Sequence, residues 1–70
     1  MNKEINEIFG QNLLKFRKLK GLTQEELSFE LDLDKSTIGK YENGTRCPNL
    51  KIADRIAKVL GVKLSELVEE

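Results

Sequence analysis

Residues 23–43 read TQEELSFELDLDKSTIGKYEN, and the spacing of their apolar side chains decides the fold. Leu27 and Leu31 stand four apart, Leu33 breaks the step, and Ile38 and Tyr41 resume it three apart. One continuous helix would scatter that set over several faces, whereas two short helices that cross at a tight turn bury it in one core. Thr23, followed three residues later by Glu26, is a capping-box pattern that opens the first of the two. That helix is expected to stop near Asp32, with Leu33 as an apolar pin in the turn. Asp34 is placed to cap the second helix, from Lys35 to about Asn43. Asn43-Gly44 supplies its stop, since both residues tolerate the left-handed backbone.

Helical periodicity extends in both directions. Upstream, Ile5, Ile8, Phe9, Leu13, Phe16 and Leu19 recur at three- and four-residue steps on one stripe of a helix ending at Gly21. Downstream, Thr45 to Pro48 read as a loop, and Asn49 can cap a helix in which Ile52, Ile56 and Leu60 share a face. Ala53 and Ala57 permit close approach by a neighbour there, and Gly61 ends that helix. Val62, Leu64, Leu67 and Val68 then fall to a short final helix with Lys63 or Ser65 near its start. Nothing reads as a strand, linker or repeat. The expected fold is all-α: a compact five-helix bundle forming one domain over residues 1–70, with a helix-turn-helix at about 23–43.

Composition narrows the function classes. Seventy residues, 39% hydrophobic and 34% charged, have room for a single core. The lone Cys47 excludes an intramolecular disulfide, and with no histidine in the chain a zinc site lacks ligands. A nucleophile paired with a base, or two carboxylates set in a pocket, is not evident either, so no catalytic residue, metal or cofactor is expected. No apolar run exceeds two residues, which predicts no membrane span and a cytoplasmic protein. The formal net charge is zero, yet the signs are segregated. Residues 1–22 carry five basic and two acidic groups, 23–34 five acidic and none basic, 35–63 seven basic and two acidic, and 64–70 three acidic. Such blocks can still present one positive face while the acidic ones keep the remaining surface soluble.

The outer face of the helix opened by Lys35 bears Lys35, Ser36, Thr37, Gly39 and Lys40, donors and small residues suited to base edges and phosphates. A helix of that length spans roughly 14 Å, enough to lie in a major groove. Taken alone, this set reads equally well as an ordinary solvent face. The segments FRKLKGLTQEELSFELDLDKSTIGKYENGTRCPNL and IAKVLGVKLSEL resemble the phage-repressor and Cro-like helix-turn-helix proteins, the Xre family. The match rests on Arg17 four residues before Gly21, on LTQEEL, on STI and on YENG.

The resemblance implies a sequence-specific regulator of transcription that binds double-stranded DNA, a repressor of phage, mobile-element or bacterial origin. It implies that Gln24 touches DNA at the edge of the groove, and that Lys35, Ser36, Thr37 and Lys40 read bases. Asn43, Thr45 and Arg46 would approach phosphate. Arg17 and Glu42 would form an ion pair tying the first helix to the end of the third. Relatives commonly pair through their C-terminal helices, which implies a homodimer on a near-palindromic operator. The chain departs from the family pattern at Ser28, where alanine is usual, and at Asp32, where glycine is usual. The rival reading is a protein-interaction module of this fold, such as an antitoxin-like or adaptor protein.

Several residues carry competing readings. Lys15, Arg17, Lys18 and Lys20 form either a phosphate-binding stripe or a solvated face that offsets the helix dipole, with Arg17 assigned to the pair with Glu42. Phe9, Phe16 and Tyr41 read as core rather than stacking platforms, and Cys47 as a silent thiol. Gly39 in mid-helix costs roughly 1 kcal/mol against alanine, which a close backbone approach would offset.

Overall fold

The computed structural model describes residues 4–70, in which five helices follow one another: α1 Ile5–Lys20, α2 Gln24–Leu31, α3 Lys35–Glu42, α4 Leu50–Leu60 and α5 Leu64–Leu67. No strand is present among the described residues. The breaks fall where the backbone turns left-handed. Gly21 and Gly61 close α1 and α4 with φ of 78° and 71°. Asp32 closes α2 at φ 57°, the one non-glycine residue with positive φ among those described. A glycine would hold that conformation with less strain.

The N-cap side chain closes the helix start at α2 and α4 but not at α1 or α3. Thr23 Oγ1 accepts from Glu26 N at 3.0 Å, and Thr23 N donates to Glu26 Oε1 at 2.9 Å, completing the capping box of α2. Asn49 Oδ1 accepts from Ile52 N at 2.8 Å and caps α4. Asp34 occupies the cap position of α3, but its side chain makes no capping bond. At the other end of α3 the left-handed residue is Gly44, while Asn43 stays at φ −89°. The last helix is shorter than its apolar pattern suggests and starts after Lys63, whose N donates to Glu66 Oε1 at 3.1 Å.

Phe9 and Leu13 from α1, Leu27 and Leu31 from α2, Ile38 and Tyr41 from α3, Ala53, Ile56, Ala57 and Leu60 from α4, and Leu67 from α5 make one core. Leu33 packs against it from the turn, and Ser28 is buried with its hydroxyl donating to Glu25 O at 2.8 Å. Two members of the expected α1 stripe lie outside: Ile5 is exposed, and Leu19 is 76% exposed. The inward stripe runs through Phe9, Leu13 and Arg17, and at 3.6 residues per turn Leu19 sits roughly 120° round from its centre.

Gly10 explains how α1 meets α3. A Cβ there would lie 2.7 Å from Glu42 O and closer still to Tyr41 O, so the two backbones touch where no side chain fits. The C-terminal end is clamped from the same helix. Asn12 Nδ2 donates to Leu67 O at 3.0 Å and to Glu69 O at 2.7 Å.

Candidate nucleic-acid interface

The third helix is fixed from behind. Ile38 and Tyr41 plunge into the core, and Gly10 lets α1 press on its last turn. Glu42 then collects donors from two other helices. Arg17 Nε donates to Glu42 Oε2 at 2.6 Å and Arg17 Nη2 to Oε1 at 3.2 Å, while Gln24 Nε2 donates to Oε1 at 2.8 Å. Arg17 Nη1 also donates to Leu22 O at 2.7 Å, binding the α1–α2 turn into the same cluster. The side chains of Arg17 and Glu42 are only 10% and 6% exposed, so the charges are shielded from water and held by two-pronged, charge-assisted bonds.

With its inner side secured, α3 turns the other side outward. Lys35, Ser36 and Lys40 are exposed, and helical spacing sets Ser36, Gly39, Lys40 and Asn43 along one ridge with Lys35 beside it. Thr37 is half-buried on the flank rather than on the ridge. Beyond the helix end the chain folds back on it. Thr45 N and Arg46 N both donate to Lys40 O, at 3.1 and 3.3 Å, and Thr45 N and Oγ1 reach Asn43 Oδ1 at 3.0 and 2.7 Å. Asn43, Thr45 and Arg46 are thereby exposed as a group at the tip of α3.

Gln24 is half-buried where α2 meets α3, its amide lying beside Gly39. Lys15 is exposed on α1, its ammonium 4.6 Å from the centre of the Phe16 ring. The arrangement thus gathers Gln24, Lys35, Ser36, Lys40, Asn43, Thr45 and Arg46 around one helix, with Thr37 at the margin. Three features escaped the sequence pattern. The Gln24–Glu42 bond and the Gly10 contact join residues far apart in sequence, and the only signal for Gly10 was a glycine where a helix prefers almost anything else. Phe29 occupies an apolar residue's slot in no periodic stripe, and it is 84% exposed beside half-buried Leu22.

Chemically the ridge can donate hydrogen bonds and neutralise phosphate, and little more. Among the described residues no group of three or more Asp, Glu, His or Cys side chains could hold a metal ion. No helix there is long and apolar enough to cross a membrane.

The family model described as helix-turn-helix (HTH_3) matches residues 13–67. Control protein C.BamHI of Bacillus amyloliquefaciens is 37% identical over 70 residues, spanning 99% of this chain and 86% of its own. The crystal structure of the restriction-modification controller protein C.AhdI from Aeromonas hydrophila superposes with a TM-score of 0.83 at 39% identity, covering 89% of this chain and 94% of that one. That of SinR, a master regulator for biofilm formation crystallised in complex with DNA, superposes with a TM-score of 0.81 at 26% identity, covering 87% and 98%. The motif, the five-helix order and these matches agree, and the chain belongs to the Xre-like helix-turn-helix family.

Proposed function

We propose that this protein is a DNA-binding regulator of transcription, a repressor of phage, mobile-element or bacterial origin, that reads double-stranded DNA by laying α3 in the major groove. The observation that carries the reading is the outward ridge of α3, basic and unencumbered, on a helix whose other side is locked to α1 and α2. The control proteins and the DNA-bound SinR among its relatives support the same reading. Lys35, Ser36, Thr37 and Lys40 discriminate bases, and Gln24, Asn43, Thr45 and Arg46 set the register on phosphates. Val68, 41% exposed at the end of α5, and half-buried Leu64 support pairing of two copies through their C-terminal helices. Two α3 helices would then enter successive major grooves about 34 Å apart on a near-palindromic operator. A cytoplasmic location follows from this role.

Selection of bound duplexes from a randomised pool, at low and raised salt, tests the reading. Enrichment of a palindromic site, bound far more tightly than random DNA, supports it. Weak, salt-sensitive binding without enrichment overturns it. One observation favours a second reading as a protein-interaction module: exposed Phe29, which with Leu22, Glu25, Glu26 and Glu30 lines an open surface depression. That reading predicts an empty selection and a loss of partner binding in Phe29→Ser.

A further inference from the structure

Two glycines stand in the middle of helices, and the fold accounts for only one of them. At Gly10 a Cβ would collide with the backbone of α3. At Gly39 it would meet only Gln24 Nε2 and Oε1, each at 3.9 Å, an ordinary contact. No positive φ demands glycine there either, since the positive-φ glycines are Gly21, Gly44 and Gly61. Alanine would fit, and would favour the helix. Nothing among the described residues requires the bare Cα.

The chemistry of the gap narrows what would use it. Gly39 lies on the ridge between Ser36 and Asn43, so the missing side chain leaves a dip in the surface turned toward DNA. Its carbonyl is taken by Asn43 N at 3.0 Å, and its N–H, inside the helix, is spent on the preceding turn. The floor of the dip is therefore C–H, able to make van der Waals contact but no hydrogen bond. One wall is the Gln24 amide, held in place by the bond from its Nε2 to Glu42. Among the groups that line a major groove, only the C5-methyl of thymine is an apolar protrusion.

We propose that Gly39 is a specificity-determining residue whose bare Cα, walled by Gln24, seats the methyl group of one thymine in each half-site. The inference rests on the reading of α3 as the groove-binding helix, and it adds a base identity to it. The dip selects thymine over cytosine by shape, alongside the hydrogen bonds made by Lys35, Ser36 and Lys40.

The test begins with the duplex selected from the random pool and replaces its thymidines one at a time by deoxyuridine, which keeps every hydrogen-bonding group and lacks only the methyl. At one position in each half-site the wild-type protein should bind the uracil duplex about fourfold more weakly, the worth of one buried carbon. Gly39→Ala fills the dip with its own methyl, so at that position its preference should reverse, the uracil duplex being bound more tightly than the thymine one. Its melting temperature should rise. Wild-type binding indifferent to every thymine methyl, or a Gly39→Ala protein that keeps the wild-type preference, would overturn the proposal. A lowered melting temperature would do so too, because the Cβ would then collide within the chain. A pool that enriches no site overturns the groove-binding reading and this inference with it, whereas a specific site without methyl sensitivity overturns this inference alone.

Discussion

Replacing Gly10 by alanine tests the packing that places α3. The new Cβ would stand 2.7 Å from Glu42 O and 3.0 Å from Glu42 C, and nearer than either to Tyr41 O. All three atoms are backbone, so none can rotate aside. Relief requires α1 and α3 to part, which loosens Phe9 and Leu13 against Ile38 and Tyr41. Overpacking of this kind costs about 1–3 kcal/mol, and rigid backbone neighbours put this site at the upper end. The gain in helix propensity returns about 1 kcal/mol. The net expectation is a loss of about 2 kcal/mol, or roughly 10 °C in melting temperature for a domain of this size. Thermal unfolding followed by circular dichroism, with urea titration for the free energy, measures it. Gly39→Ala makes the same chemical change in another helix interior and should shift stability the opposite way. A Gly10→Ala protein as stable as the wild type would refute the close-approach argument.

Three further outcomes follow from the same geometry. Arg17→Ala leaves the Glu42 carboxylate buried with Gln24 as its remaining side-chain donor, and should cost about 3 kcal/mol in urea unfolding, whereas Arg17→Met combined with Glu42→Leu should recover much of that loss. Thr23→Ala removes half of the capping box of α2 and should lower stability by about 1 kcal/mol, read from the same titration. Asp32→Gly should stabilise the fold by about 0.5 kcal/mol, seen as a slightly raised melting temperature, as relief of the left-handed backbone outweighs the extra chain entropy glycine loses on folding.

The helices α2 and α3 were legible because their apolar residues change phase at Leu33, a break that only a turn explains. Thr23 and Asn49 were legible as caps because each acts on a backbone N–H three residues away, within reach of local sequence. Asp34 has the same chemistry but makes no such bond, and Leu19 continues a three-residue step yet faces water. Pattern alone does not say where a stripe stops being covered. The Arg17–Glu42 pair came from family resemblance, since nothing in a separation of 25 residues marks two charges as neighbours. The Gln24–Glu42 bond, the Gly10 contact and the Asn12 clamp on Leu67 and Glu69 are likewise products of tertiary arrangement. For the candidate site, the residues proposed to meet DNA come from the exposed pattern of α3 and from the family resemblance. The structure adds their distribution: a ridge of Lys35, Ser36, Lys40 and Asn43, with Thr37 on the flank and Gln24 engaged by Glu42.

If the outer ridge of α3 binds DNA, a Lys35→Ala, Lys40→Ala double variant loses affinity for the selected duplex, measured across a range of salt. Both lysines are exposed, so the unfolding free energy should stay within about 0.5 kcal/mol of the wild type. With contacts worth about 1–3 kcal/mol each, binding should weaken at least about tenfold, with relaxed preference at the bases they read or a shallower salt dependence where they meet phosphate. A folded variant that binds the duplex as tightly as the wild type, with unchanged sequence preference and salt slope, would show that DNA is bound elsewhere than on the α3 ridge.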